Sequence, residues 1–173
     1  RDRPAALEAN AAANQADKQG ATPLFIACQN GYPETVRLLL EAGAAVGQTN
    51  DGRVSPLHTA CQNNRLEIVR LLLEAGAVVD QAAEDGATPL YIACEKGHLE
   101  IVRLLLEANV AVDQARDDGV TPLIIACRQG HVDIIRLLLE ASAAVNQAAA
   151  GGLTPLLAAC YQGRLECVRL LLE

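Results

Sequence analysis

Methionine and tryptophan are absent from the 173-residue chain, and aromatic residues make up only 2% of it. A core without large rings must be filled by small and branched aliphatic side chains, which suits thin, closely spaced layers better than one wide centre. Cations are also in deficit: 14 Lys and Arg stand against 21 Asp and Glu, a net charge of −7. Phosphate binding needs a basic face, so nucleic acid is discounted as a partner. Long apolar runs are missing too, since none approaches the roughly 20 residues that cross a bilayer. With no charged-then-apolar leader at the start, the mature protein is expected to be soluble, without membrane insertion.

What is present is apolar and periodic. Hydrophobic residues form 51% of the chain, enough for the core of one domain. The segments TPLFIAC, SPLHTAC, TPLYIAC, TPLIIAC and TPLLAAC start at Thr22, Ser55, Thr88, Thr121 and Thr154, each 33 residues after the last. A fixed period of that size, with the same apolar and turn pattern in each copy, marks a stacked repeat array.

Each copy reads as two short helices. Thr or Ser caps the first by accepting from free amides of the opening turn, and Pro follows where a missing N–H costs nothing. Gly31, Gly97, Gly130 and Gly163 stop it in a left-handed conformation, with Asn64 in their place in the second copy. A second helix, as from Leu99 to Glu107, ends at Gly43, Gly76, Asn109 or Ser142. Serine is the poorest of these stops, and local strain or an altered turn is expected there. The linking segments carry turn and hairpin signals and should project sideways and pair with their neighbours. In the second copy Arg53 stands where Gly20, Gly86, Gly119 and Gly152 lie, so that hairpin is expected to differ.

Five of the six cysteines, Cys28, Cys61, Cys94, Cys127 and Cys160, share the same period, each following an alanine. Stacked helices stand roughly 8–10 Å apart, beyond the ~7 Å Cα limit for a disulfide. They read as buried thiols in a reducing intracellular, cytoplasmic setting. Cys167 lies outside the series, and one bridge to Cys160 stays open. Thiol ligands to zinc must converge within about 4 Å, which stacked layers forbid. The tip carboxylates could hold calcium only weakly, because nothing enforces its short oxygen contacts. No HExxH, CxxC pair or phosphate loop occurs, and His58, His98 and His131 belong to repeat motifs, so no catalytic, cofactor or metal residues are assigned and the chain is not expected to be an enzyme.

The period, the TPLHxA-like start (closest in Ser55 to Ala60), the pairs Gly97-His98 and Gly130-His131, and the LLLEAGA ending together resemble the ankyrin repeat. The resemblance implies an all-α solenoid of stacked helix–turn–helix units with β-hairpin loops, forming a single domain. Its repeats would be an N-terminal half repeat at 1–19, full repeats at 20–52, 53–85, 86–118 and 119–151, and a truncated one at 152–173. Pro4 to Asn10 align with Arg37 to Gly43, the second helix of a repeat. The ends are therefore expected to mark a fragment of a longer array, or a protein whose ends associate. Departures are that the TPLH histidine survives only as His58, and that Ala45, Val78, Ala111 and Ala144 replace the aspartate of the GAD segment.

Recurring charge pairs on the second helices, such as Glu34/Arg37, Glu100/Arg103 and Glu166/Arg169, read as a solvated convex face. The hairpin tips vary on a constant frame, which is where recognition belongs. Carried over from the resemblance, a concave binding surface would comprise Lys18, Gln19, Ala21, Gln29 and Asn30; Asp51, Val54, Gln62 and Asn63; Glu84, Asp85, Ala87, Glu95 and Lys96; Asp117, Asp118, Val120, Arg128 and Gln129; and Leu153, Tyr161 and Gln162. Its acidic middle suits a basic or amphipathic protein or peptide. Phe25 and Tyr91, at the former histidine position, either pack between helices or face the groove. The expected function is a non-catalytic protein-interaction scaffold. The alternative is a structural or self-associating element, an engineered scaffold included, assembling through apolar terminal repeats such as Cys167 to Leu172.

Overall fold

Residues 12–173 are described by a computed structural model. The alignment of Pro4 to Asn10, and most of the proposed 1–19 half repeat, lie outside the described residues. The helices fall into two compact units, with the boundary along the chain between Glu84 and Asp85. The first holds α1 (Pro23–Asn30), α2 (Pro33–Glu41), α3 (Pro56–Gln62) and α4 (Leu66–Glu74). The second holds α5 (Pro89–Lys96), α6 (Leu99–Glu107), α7 (Pro122–Gln129), α8 (Val132–Glu140), α9 (Pro155–Tyr161) and α10 (Leu165–Leu172). Among the described residues no strand forms.

The first helix of each pair begins as its sequence dictates. Thr22, Ser55, Thr88, Thr121 and Thr154 hold extended backbone, and each hydroxyl accepts the N–H three residues on, at 3.1–3.3 Å. Proline follows at once in every case. The helices then stop at left-handed residues, Gly31, Gly97 and Gly130 among them, with Asn64 (φ 55°) and Gly163 (φ 62°) in the same role.

Within each unit the pairs stack, α1 on α3 and α2 on α4, then α5 on α7 on α9 and α6 on α8 on α10. Ala60, Ala93 and Ala126 are fully buried, and their small side chains let the first helices approach closely. The second helices bury one stripe, Ile68, Val69 and Leu72 in α4, Ile101, Val102 and Leu105 in α6, and Ile134, Ile135 and Leu138 in α8. Phe25 and Tyr91 are buried, Tyr91 being only 1% exposed, so neither stands open in the groove.

The loops are hairpin-like turns closed by backbone bonds, as where Asn50 N–H donates to the Val54 carbonyl at 3.1 Å and Arg116 N–H to that of Val120 at 3.1 Å. Each loop is tied to the next by one further bond. Asp51 N–H donates to Gln19 O, Glu84 N–H to Gly52 O, Asp117 N–H to Asp85 O and Ala150 N–H to Asp118 O, all at 3.0–3.1 Å. One backbone-to-backbone bond per neighbour links the loop tips without making a ladder.

At Arg53 the expected irregularity is absent, and at Ser142 it takes the form of local strain without an altered turn. Arg53 adopts the same left-handed conformation (φ 58°) as the glycines it replaces, and its N–H closes the turn onto Asn50 O at 3.0 Å, as Gly20 does onto Asp17 O at 3.1 Å. The second hairpin therefore keeps its form, because the backbone bonds impose it. Ser142 likewise is left-handed (φ 65°) in an unaltered turn, its N–H reaching Leu139 O at 2.9 Å. The strain stays local, since a side chain in that conformation costs about 1–2 kcal/mol. Ser142→Gly is expected to raise stability by about 0.5–1 kcal/mol after the extra flexibility of unfolded glycine is discounted. A melting temperature at or below that of the parent would contradict this.

All six cysteines are free, and Cys28, Cys61, Cys94, Cys127 and Cys167 are buried, but Cys160 is exposed. Cys160 lies on the face of α9 that corresponds to the face of α7 covered by α9. Burial pushes the Cys28 and Cys127 thiols up to about 12, and Cys61 and Cys94 are raised as well. In native buffer Cys160 should react first with a thiol reagent. A buried thiol ionises less readily folded than unfolded, so its contribution is complete below the ordinary thiol value near 9 and fades as pH rises towards 12. The melting temperature should fall across that window, and less steeply in Cys28→Ala; equal slopes would rule out this cause.

Candidate functional site

The positions that vary between copies lie where the frame does not use side chains. In the first unit Lys18, Gln19 and Asp51 are exposed at the loop tips, Val54 is half-buried, and Glu84 is exposed. Gln29, Asn30, Gln62 and Asn63 stand exposed at the ends of α1 and α3. In the second unit Asp85, Asp117 and Asp118 are exposed tips, with Lys96 and Gln129 exposed and Glu95 and Arg128 half-buried at the ends of α5 and α7. Leu153 is half-buried, and Tyr161 and Gln162 are exposed. Ala21, Ala87 and Val120 are buried and leave the surface: their side chains are part of the layer beneath the loops.

Local geometry shapes the tips. Asp17 Oδ1 accepts from Gln19 N–H at 2.8 Å and Ala21 N–H at 3.0 Å, and Asn50 Oδ1 accepts from Val54 N–H at 2.9 Å. In the second unit Asp85 and Asp118 take over, each accepting from the N–H two residues on at 3.1 Å. Those carboxylates are thus each engaged by backbone through one oxygen.

Arg116 joins these tips. Its Nε donates to Asp118 Oδ1 at 3.2 Å, Nη2 pairs with Oδ2 of the same carboxylate, and Nη1 stands 3.8 Å from Asp85 Oδ2. The guanidinium lies over the Tyr91 ring, 5.5 Å from its centre. The hydrogen bond from Arg116 holds the Asp118 carboxyl below the usual carboxylate range, and the same bond raises Arg116. Burial raises the Tyr91 phenol, whose oxygen has no partner among the described residues. Lys96 pairs with Glu95 at 3.5 Å. The second unit's acidic tips are therefore partly neutralised from within, whereas Asp51, Glu84 and Asp117 form no ion pair among the described residues. Sequence reading left Arg116 out of the surface. The signal was the Arg-Asp-Asp order at 116–118, which becomes a clamp only once the turn brings the first and third side chains together.

The second helices carry their charge pairs outward. Arg37 pairs with Glu34 at 3.5 Å and with Glu67 of the next repeat at 3.6 Å, and Arg103 and Arg169 pair with Glu100 and Glu166 at 3.8 and 3.1 Å. Exposed pairs of this kind contribute little each. Between repeats a different device recurs: Arg65, His131 and Arg164 reach back over Gly31, Gly97 and Gly130 to the carbonyls of Gln29, Glu95 and Arg128, at 3.3–3.5 Å.

No constellation for chemistry accompanies these surfaces. Among the described residues no three His, Cys, Asp or Glu side chains are grouped as metal ligands, and no helix is long and apolar enough to cross a membrane. A cavity of about 600 Å³ in the first unit is open and mostly apolar, lined by Ala16, Pro23, Ile26 and Tyr32 among others. It contains no paired nucleophile and base.

The family model described as ankyrin repeats (three copies) matches residues 5–83, 44–115, 75–149 and 108–173, which together span nearly the whole chain. The chain belongs to the ankyrin repeat family. Its fold is the ankyrin solenoid of helix–turn–helix units, and ankyrin repeats generally act in protein–protein interaction and are typically non-catalytic. No curated protein matches the sequence significantly. In this ankyrin array the frame is carried by the caps, the alanines and the leucine stripe, which leaves the tips and first-helix ends free to differ.

Proposed function

We propose that the chain is a protein-interaction scaffold that binds a protein or peptide through its loop tips and the exposed ends of its first helices. One observation supports this most: once the buried Ala21, Ala87 and Val120 are set aside, the residues assigned to that surface, from Lys18 to Gln162, are exposed or half-buried and none belongs to the buried core. The partner is expected to present basic or amphipathic character, because Asp51, Glu84 and Asp117 offer carboxylates that form no ion pair among the described residues. Free thiols throughout are in keeping with a reducing intracellular compartment.

The test is affinity capture from a lysate, with a triple variant (Asp51→Asn, Glu84→Gln, Asp117→Asn) as the control bait. Proteins retained by the parent and lost by the variant are the expected result, and their affinity should fall as salt rises. Identical captures by both baits, or affinity that ignores salt, would end the electrostatic reading of these tips.

A further inference from the structure

Within the second unit, two carboxylates and an aromatic face converge on Arg116. Asp118 takes its Nε and Nη2, Asp85 stands beyond, and the centre of the Tyr91 ring lies 5.5 Å from the guanidinium carbon. A carboxylate fork beside an aromatic face suits arginine better than lysine, because only a planar guanidinium can pair with both oxygens while it lies over the ring.

Arg116 does not use all that this cradle offers. Its Nη1 stops 3.8 Å from Asp85 Oδ2, too far for a hydrogen bond, while Asp85 Oδ1 is held by the Ala87 N–H at 3.1 Å. The Tyr91 hydroxyl is buried and has no partner among the described residues, although the charges of Arg116 and Asp118 both act on it. Leaving a buried hydroxyl unbonded is costly, so a group that reached it would be favoured. Arg116 is tethered too closely to do so. It sits two residues from Asp118 in one turn, closed from Arg116 N–H to Val120 O at 3.1 Å, and its guanidinium is spent on that neighbour. Its hold is also weak. The Arg116 and Asp118 side chains are 31% and 41% exposed, and pairs so open to solvent contribute little. Asp85, Asp117 and Asp118 still outnumber Arg116 at the tip, and from the helix ends Glu95 and Arg128 act on the hydroxyl with opposite sign. A further cation is therefore attracted.

We propose that a partner protein inserts an arginine of its own into this cradle, displacing Arg116 and joining Asp85, Asp118 and the Tyr91 hydroxyl at one guanidinium. Arg116 is then a stand-in that fills the cradle until the partner arrives. The inference rests on the reading of the tips as a partner surface, and makes the partner's basic group an arginine held at a fixed place.

The test uses the full chain and N-acetyl-arginine amide, with the lysine and citrulline amides as controls at constant ionic strength. The backbone amide signals of Ala87 and Val120, whose N–H groups bond to the two carboxylates, report binding by NMR in every variant. The arginine amide should shift them, and the uncharged citrulline amide should not. Arg116→Gln removes the stand-in and should tighten binding of the arginine amide by at least about threefold, as when a competing state is emptied, with a smaller gain for lysine. Adding Tyr91→Phe or Asp118→Asn to Arg116→Gln should abolish that gain. Circular dichroism reports folding, and Arg116→Ala serves should Arg116→Gln lose helicity. An arginine amide that binds no better than citrulline, an equal gain for lysine, or a gain that survives both added changes would each overturn the proposal. None of these variants alters Asp51, Glu84 or Asp117, so the cradle can fail while capture through those carboxylates stands, and the reverse.

Discussion

Leu105→Ala is expected to lower the unfolding free energy by about 2–5 kcal/mol, the range for truncating a fully buried leucine whose surroundings relax only in part. Leu105 is 0% exposed on α6, and Leu72 and Leu138 fill the same place in α4 and α8. Within its unit α6 packs on α5 and α8, and Leu105 is fully buried there, so the space left by truncation is not open to solvent. In stacked repeats each layer is held by its own packing and by its two neighbours. A hole in α6 therefore weakens α6 and its contact with α8 at once. Leu38→Ala, at an exposed position, should change stability by less than about 0.5 kcal/mol. Urea titration of both variants checks the contrast, and a loss below about 1 kcal/mol for Leu105→Ala would mean the layer is not packed as described.

The second large effect is expected from a single oxygen. Thr121→Val keeps the shape of the side chain and removes the acceptor for Ile124 N–H, which it holds at 3.2 Å. Thr121 is 0% exposed, so water cannot take over the bond. The loss should be about 1–2 kcal/mol, the upper part of the range for deleting a helix cap. Thr154 makes the equivalent bond to Leu157 N–H at 3.3 Å in a half-buried setting, and Thr154→Val should cost about half as much because solvent can reach the amide. Equal losses at the two sites would show that burial does not set the cost.

These caps also explain how much could be read from the chain alone. Thr-Pro at the start of a helix and Gly at its end act within a few residues, so the helix pairs and their period were legible without tertiary knowledge. Asn64 and Asn109 as left-handed stops were legible for the same reason. Arg53 misled because local preference favours glycine there, while backbone bonds set by the rest of the turn outweigh it; at Ser142 the same bonds keep the turn and leave the expected strain. Contacts between residues far apart in the chain gave no local sign. Asn14 Oδ1 accepts from Ala45 N–H at 2.6 Å and Asp113 Oδ1 from Ala144 N–H at 2.9 Å, tying one repeat to the next where the GAD aspartate is missing. Cys160 followed its period in sequence but is exposed, because burial depends on what packs against a face and not on the face itself. At the candidate surface, residue types sufficed to locate the variable tips. The pairing of Arg116 with Asp118 and Asp85 over Tyr91 required the turn geometry.

The single backbone bond that joins each loop to the next has a consequence for sequence change. At positions 51, 84, 117 and 150 the stack asks only for an N–H aimed at the preceding carbonyl. It makes no demand on the side chain, and these places hold Asp, Glu, Asp and Ala. Proline, which has no N–H to give, is the one residue such a loop must refuse. Every other side chain can be tried at a tip while the connection beneath it is kept, so a new surface can be reached one substitution at a time from a chain that stays folded at each step.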